Sequence, residues 1–296
     1  MKNFSILILS LLLAPIAQAL DIFACEPEWG ALAKEIAGDK AQIFVATSAL
    51  QDVHQIEARP SLIAKMRRAD FLICSGAELE IGWLPQLMQQ ASNSKLNDNA
   101  RRFFAAEQVS LLDKPALLDR SAGDLHAAGN PHVHQDPQRI AQIAEKLAQR
   151  LAQVDAANRA HYQQRQHQFA QAWQQAMQSW QPALQQLRSK DVVIGHDNLR
   201  YLAEWTGIRV VARLEPKPGL PPTSAHLADV LKVVQNNHVY AIVQAAYEDP
   251  KPGLWLADRT QLPHVIVPYT VGGLDGTDTL IAMMDKTLAL LTAVNK

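Results

Sequence analysis

Histidines that could bind a metal ion lie in three separate loops of this sequence. His126, His132 and His134 fall within nine residues of one proline-bracketed loop, while His54 lies in a second loop and His196 in a third. Neutral imidazole suits zinc, copper, iron and nickel, and three imidazoles with one carboxylate make a good tetrahedral zinc site. A lone loop histidine is about as often a solvated surface residue as a functional one, so the spacing alone is only a moderate signal of a metal site.

A carboxylate for such a site could come from the last loop, which contains the sequence LDGTD. Asp275 and Asp278 both lie there, shortly before a C-terminal helical pattern. Asp275 could equally be a turn residue, and Asp278 could cap the helix, since aspartate is favoured in both settings. The sequence therefore offers two candidate carboxylates and an ordinary structural role for each.

Composition indicates a globular chain of two domains. The 296 residues are 48% hydrophobic and 19% charged, and the formal net charge is −1. A chain of this length is too long for one typical hydrophobic core. No basic patch dominates, so nucleic acid is not expected as a partner.

Short apolar runs alternate with helical patterns in both halves, which predicts parallel sheets with helices on both faces. The predicted strands are 20–25, 41–46, 70–75 and, weakly, 107–112, and then 191–195, 209–213, 239–244 and 264–268. The predicted helices are 27–38, 60–69, 82–91, 198–206, 223–236 and 277–294. The expected fold class is α/β, with two lobes that each contain a four-stranded parallel sheet.

A long helical zone over 137–187 separates the two halves. Its second part is rich in glutamine and carries one apolar stripe, which indicates core packing, formed by Tyr162, Phe169, Trp173, Met177, Trp180, Leu184 and Leu187. Pro182 is a candidate kink. The predicted division is an N-terminal lobe over 20–155, one rigid connecting helix over 156–188, and a C-terminal lobe over 189–296.

The loops that carry the candidate ligands follow predicted strands. In open parallel sheets, ligands collect beyond the carboxyl ends of the strands. The loops with His54 and His132 belong to the first lobe, and those with His196 and the two aspartates belong to the second. We therefore expect them to face one another across a cleft between the lobes.

Residues 1–19 have the pattern of a cleaved secretory signal. Lys2 precedes an apolar run from Ile6 to Leu13, and Ala17 and Ala19 form a small-x-small cleavage site. The run is too short to span a bilayer core of about 30 Å. No cysteine directly follows the segment, so a lipid anchor is not expected there. The predicted location is a bacterial periplasm.

The two cysteines of the chain, Cys25 and Cys74, each end a short apolar run. If these runs are neighbouring parallel strands, their Cα atoms lie about 4.8 Å apart, which permits a disulfide. An oxidising compartment favours the bridge. Two buried free thiols are the alternative.

Several segments together make the sequence resemble a known family. DVHQIEARPS, NPHVHQDP, GHDNLRYLAEWTGI, EPKPGLPPT and VGGLDGTDTLIAMMD occur in this order. They resemble the cluster A-I solute-binding proteins of bacterial metal ABC transporters, which bind zinc, manganese or iron. The resemblance covers nearly all of the chain after residue 19 and implies two α/β lobes joined by one rigid helix, with the metal between them.

The resemblance implies a ligand set of His54, His132, His196 and Asp278, with Asp275 as a rival to Asp278. Three histidines and one aspartate resemble the zinc members, so zinc is the expected ion. Manganese or iron is the alternative.

The same family resemblance suggests roles for the residues around the site. His126 and His134 are then an auxiliary capture site in a short mobile loop, although His134 could replace His132 as the ligand. Glu57 is expected to orient His54. The expected partner is a membrane permease, with a periplasmic metallochaperone as a further candidate. The protein is expected to be a monomer that catalyses no reaction.

Two other functions are alternatives to metal import. An exported zinc hydrolase would need Glu57 or Glu215 as a general base beside a metal-bound water, and neither residue sits in a recognisable motif. An adhesive surface protein of the same fold is the other, and the missing lipid-anchor cysteine argues against it.

Overall fold

The computed structural model describes residues 19–115 and 126–294. The predicted secretory signal lies outside the described residues, apart from its last residue, and so does part of the loop before His126. The eight described strands form two four-stranded parallel sheets. This confirms the predicted α/β class.

The first sheet has the order β2-β1-β3-β4 and the second has the order β6-β5-β7-β8. In each sheet the chain steps outward in both directions from the first strand, so two loops diverge at the carboxyl edge and leave a crevice there. The strands are β1 (Leu20–Ala24), β2 (Ala41–Val45), β3 (Phe71–Cys74), β4 (Arg102–Phe104), β5 (Asp191–Ile194), β6 (Arg209–Arg213), β7 (Val239–Ala245) and β8 (His264–Val267).

Ten described helices cover the sheets, and several begin with proline, which is suited to a first helical turn because its missing N–H needs no partner there. They are α1 (Pro27–Ala37), α2 (Pro60–Arg68), α3 (Leu84–Ala91), α4 (Pro137–Val154), α5 (Arg159–Ser179), α6 (Gln181–Leu187), α7 (Arg200–Thr206), α8 (Ser224–Gln235), α9 (Lys251–Thr260) and α10 (Leu280–Thr292). No described helix is long and apolar enough to cross a membrane.

Two elements differ from the sequence prediction. The weak strand at 107–112 is wrong, because β4 lies earlier, at Arg102–Phe104, and is followed by a 3-10 turn. This strand has only three residues, and only Phe103 is buried, so its pattern is too short to stand out. Helix α9 was not predicted, since the proline and glycine at its start resemble a loop.

The predicted long helix is present as α5, and the apolar stripe is its buried face. Tyr162, Phe169 and Trp173 are buried. The Trp173 indole donates to the carbonyl of Pro137, which ties α5 to α4. The helix does not run unbroken to residue 188, because it ends at Ser179 and α6 begins after Trp180, with Pro182 in its first turn. Proline there cannot donate to the preceding turn, as expected for a kink.

The two sheets share a hydrophobic core. One cluster of buried side chains contains Ile22 and Phe71 of the first sheet, Trp173 of α5, and Val192 and Val243 of the second sheet. The Trp180 indole donates to Asp285 of α10 at 2.6 Å. Because interiors of this kind are close-packed, the two lobes are held in a fixed relation. The division at residues 155 and 188 remains a prediction.

Candidate metal centre

Four imidazole rings meet between the carboxyl edges of the two sheets. The ring centroids of His54 and His132 lie 5.8 Å apart, and that of His196 lies 5.9 Å from each. The fourth ring, His126, stacks on His54 at 5.6 Å and lies 6.2 Å from His132. Ligand nitrogens of His54, His126 and His132 lie within 4.8 Å of one another. The nitrogens of His54, His126 and His132 are thus close enough to bind one ion, and the His196 ring lies beside two of these three rings.

The loops that carry the rings are tied to one another. The Asn130 side chain accepts from the His132 backbone N–H at 3.0 Å and donates to the carbonyl of Asp197, in the other lobe, at 2.9 Å. The loop before His54 is fixed by the Trp83 indole, which donates to the Val53 carbonyl at 2.9 Å. Gly195 brings the end of β5 against Glu248, because a Cβ there would lie 1.7 Å from the carboxylate. The histidines are therefore positioned before any ion binds.

Three of the rings use Nδ1 for a contact with a neighbouring side chain. His54 contacts Asp52 at 2.8 Å, His132 contacts the Tyr269 hydroxyl at 2.6 Å, and His196 contacts Glu215 at 2.7 Å. An imidazole held at one nitrogen presents the other to a metal. The Nε2 atom of His54 is buried with no hydrogen-bond partner among the described residues, as expected for a ligand atom.

The partner of His54 is not the one expected from the sequence. Asp52 makes the contact, whereas Glu57 is exposed and lies outside the cleft cavity. Asp52 lies two residues before His54 and also accepts from its backbone N–H at 3.0 Å, so the turn closes on itself. Glu57 lies three residues after His54, in the segment that leads into α2, and its side chain is exposed. The assignment of Glu57 is therefore wrong in this structure.

The rings differ in pKa because their surroundings differ. Burial and the neighbouring imidazoles hold the pKa of His132 well below its usual value, and burial chiefly lowers the pKa of His126 to about 4. Burial also acts to lower the pKa of His196, but the hydrogen bond and charge of Glu215 outweigh it, and the pKa is raised. His126 and His132 are thus neutral at physiological pH and ready to coordinate.

The structure does not bring the predicted carboxylate to the rings. Asp275 and Asp278 are both exposed, and neither lines the cleft cavity. The loop closes on itself instead, since the Gly272 N–H donates to the Thr277 carbonyl at 2.8 Å and Gly272 takes a φ of +80° that favours glycine. Thr279, rather than Asp278, caps α10. His126 takes the place at the rings for which Asp278 was proposed.

His134 is not part of an exposed capture loop. Its side chain is fully buried, with Nδ1 3.2 Å from the Glu28 carboxylate and Nε2 3.0 Å from the Tyr269 carbonyl. Glu28 also accepts from the Thr270 hydroxyl at 2.5 Å. Glu28 and His134 therefore hold the segment that follows β8, and through it the Tyr269 hydroxyl that contacts His132.

A cavity of about 340 Å³ opens beside His54 and His196. Acidic side chains line it, namely Asp52, Glu215, Glu248 and Asp249. Negative walls of this kind attract cations and raise their local concentration. The cavity gives a cation a path to the rings.

Comparison with known proteins defines the class of the molecule. The fold is that of metal-binding substrate-binding proteins of ABC transporters. The chain belongs to the family described as zinc-uptake complex component A, periplasmic, or ZnuA, which it matches over residues 22–294. Members of this family are substrate-binding proteins and not enzymes, so the hydrolase interpretation is not supported.

Individual relatives are distant in sequence and close in fold. A crystal structure of ZnuA has 18% identity and a TM-score of 0.78, over 94% of this chain and 100% of that one. A cadmium-bound periplasmic metal binding protein from candidatus liberibacter asiaticus has 15% identity and a TM-score of 0.74, over 92% and 98%. A laminin-binding adhesin, Lmb, from Streptococcus agalactiae has 21% identity and a TM-score of 0.74, over 94% and 100%.

The curated relatives carry names for two different metals. The zinc-binding lipoprotein AdcA of Streptococcus pneumoniae is 23% identical over 210 residues, which cover 70% of this chain and 41% of that protein. The manganese ABC transporter lipoprotein PsaA of Streptococcus anginosus is 26% identical over 149 residues, which cover 49% and 45%. The matches thus span less than half the length of these relatives.

Proposed function

We propose that this protein captures a zinc ion at the four imidazoles and delivers it to the permease of an ABC transporter. The observation that carries the proposal is the convergence of His54, His126, His132 and His196, three of them held at Nδ1. Four protein ligands close a tetrahedral zinc site, whereas a catalytic zinc keeps one position open for water. The site is therefore suited to carrying an ion.

The donor set favours zinc over manganese. Imidazole suits zinc, and carboxylate oxygen suits manganese. Among the described residues, the group of ligand atoms formed with His54 and His132 contains a third imidazole and no carboxylate. The nearest acids, Asp52 and Glu215, are occupied by Nδ1 contacts and act on the ion only through the rings.

His126 completes the set in this proposal. It lies at the end of the loop, where the Ala127 N–H donates to Glu78 at 2.8 Å, and its ring bonds to the backbone of Ala77. Both anchors belong to the segment after β3. These contacts hold the His126 ring beside His54 and His132, so the first lobe supplies three of the four rings.

The place of action follows from the family and from the first residues. The predicted secretory signal and the family of periplasmic components support an exported protein that works in the periplasm. A monomer that hands its ion to a membrane permease fits this role. Delivery by a metallochaperone stays an expectation from the sequence.

The test is a competition titration of the metal-stripped protein against a chromophoric chelator, first with zinc and then with manganese. We expect one tight zinc equivalent and far weaker manganese binding. The matched control is His167→Ala, which removes an exposed histidine of α5 whose ring contacts Gln171. Preference for manganese would overturn the zinc assignment, and unchanged zinc affinity in His126→Ala would remove His126 from the ligand set.

A further inference from the structure

A second cluster of potential ligands lies inside the first lobe, where β1 and β3 end. It consists of Cys25, Cys74, Glu26 and Glu80, and all four side chains are buried. The cysteines form a disulfide with a Cα–Cα distance of 4.8 Å, as the strand arrangement predicted. Ligand atoms of Cys25, Cys74 and Glu80 lie within 4.8 Å of one another. None of the four belongs to the imidazole site.

The two carboxyl groups of this cluster are too buried to be both charged. Burial raises the pKa of Glu26 well above its ordinary value, and the charges of Glu80 and Glu28 raise it further; burial raises the pKa of Glu80 to about 7. Like charges in a low-dielectric interior repel strongly, so one shared proton is the economical arrangement.

Glu80 is fixed in place by the backbone. Its Oε1 accepts from the Ser75 N–H at 2.7 Å, and its Oε2 accepts from the Gly76 N–H at 3.1 Å. The Oε1 atom of Glu26 is buried and has no hydrogen-bond partner among the described residues. The two sulfur atoms and a carboxylate oxygen of Glu80 therefore lie close enough to bind one ion, and the Glu26 carboxyl group lies beside Glu80.

We propose that reduction of the Cys25–Cys74 disulfide creates a second, buried metal site of two thiolates and the Glu80 carboxylate, which binds zinc or cadmium. Sulfur ligands select such ions over manganese, and zinc accepts Cys and Glu at about 2.3 and 2.1 Å. A divalent cation would offset two of the three negative charges that two thiolates and one carboxylate carry. The same site exists in the chain before the bridge forms.

The reaction balances with a dithiol as reductant. One reductant thiolate attacks a cysteine sulfur, breaks the Cys25–Cys74 bond and forms a mixed disulfide. The second reductant thiol closes the reductant's own disulfide and releases both cysteines as thiols. The cation then replaces the two thiol protons, which pass to solvent, and the proton on Glu26 stays in place.

The experiment uses the full chain with His54→Ala and His196→Ala, so that the imidazole site is lost. The protein is reduced with an excess of a dithiol, desalted without oxygen and titrated with cadmium. We expect a thiolate-to-metal charge-transfer band in the ultraviolet that saturates at one equivalent. The oxidised protein should show none. In Cys25→Ser the affinity should fall more than tenfold, and in Glu80→Gln about tenfold.

Glu80→Gln separates this site from an accidental thiol pair. An unchanged cadmium affinity in Glu80→Gln would rule out the carboxylate ligand. The absence of a saturating band in the reduced parent would rule out the site. Circular dichroism follows the fold, and unfolding on reduction in the presence of cadmium would also overturn it. Failure of the imidazole proposal would leave this result unaffected, because the parent lacks that site.

Discussion

His132 and His196 occupy the same site, lie 5.9 Å apart and are both buried, yet their pKa values move in opposite directions. His132 belongs to the first lobe, and its Nδ1 contacts a neutral phenol, that of Tyr269. His196 belongs to the second lobe, and its Nδ1 contacts a carboxylate, that of Glu215. Burial acts to lower the pKa of both rings, and only at His196 does a charged Nδ1 partner outweigh it, so the two rings differ in their sensitivity to protons.

Because of this difference in pKa, the rings of the two lobes respond differently to protons. A ring kept neutral by burial needs no deprotonation before it binds an ion. A ring beside a carboxylate is more basic, which strengthens its bond to the metal but lets protons compete for it. In the proposed site, the first lobe would therefore supply a ring that is already neutral and the second lobe a ring whose binding depends on pH.

The largest effect is expected from removal of either ring. Alanine in place of His196 or His132 should weaken zinc binding by more than about 100-fold, since loss of a supporting residue alone usually costs 10–100-fold. Chelator competition measures the affinity, and circular dichroism checks that the fold is intact. An unchanged affinity in His196→Ala would show that the second lobe contributes no ligand. His167→Ala is the matched control.

Tyr269→Phe removes the phenol that orients His132. We expect a loss of zinc affinity of about 10-fold or more, because the ring is then free to rotate. Tyr240→Phe is the control, since the Tyr240 hydroxyl donates to carbonyls of Leu291 and Val294, outside the cleft. If both variants bind alike, the phenol has no role in the site.

The pH dependence of binding should depend on Glu215. The raised pKa of His196 means that its protonation begins to compete with zinc already above about pH 6.5, the ordinary histidine value. Glu215→Gln should lower that pKa, and a nuclear magnetic resonance titration of the imidazole signals in the metal-free protein measures it. The His132 signal should not shift between about pH 5 and pH 8. A titrating His132 would remove the contrast between the lobes.

The same His196 pair affects stability in the metal-free protein. A folded pKa above the unfolded value stabilises the fold below the unfolded pKa, and the gain is lost as pH rises through the folded pKa. Glu215→Gln should therefore lower the melting temperature at about pH 5.5 more than at about pH 8.5. Equal losses at both pH values would mean that the pair contributes no charge-dependent stability.

The smallest effect is expected at the buried carboxyl pair of Glu26 and Glu80, where the free energy of unfolding should depend on pH. The raised pKa of Glu26 makes the folded state bind a proton that the unfolded state has lost, so stability falls as pH rises above about 4.5. Glu26→Gln mimics the protonated group. It should be near neutral at about pH 5 and stabilising by about 1 kcal/mol at about pH 8, as measured by denaturant unfolding. Destabilisation at both pH values would argue against the shared proton.

Much of the fold could be predicted from the sequence because its signals are local. Alternating strand and helix patterns led to two parallel sheets, and Cys25 and Cys74 could be paired from the ends of two neighbouring strands. His54, His132 and His196 could be placed together because each lies in a loop beyond a strand of a parallel sheet. The position of strand β4 was predicted wrongly because a segment of three residues carries almost no periodicity.

The parts of the site that could not be predicted depend on how loops fold back. Asp278, with Asp275 as its rival, was expected as the fourth ligand from the family resemblance, whereas the turn through Gly272 leaves both aspartates exposed. His134 was judged exposed because its neighbours are polar, and its burial became visible only with Glu28 and Tyr269 around it.

The sequence by itself determined the two α/β sheets, the metal-binding character of the loops and three of the imidazoles that meet, because strand patterns and residue types are local properties. Only the tertiary structure decided the fourth ring, the Nδ1 partner of each histidine and the direction of each pKa shift. Those depend on contacts between residues far apart in the chain, such as Tyr269 and His132 with a separation of 137. Electrostatic effects act through space, so spacing along the chain does not reveal them.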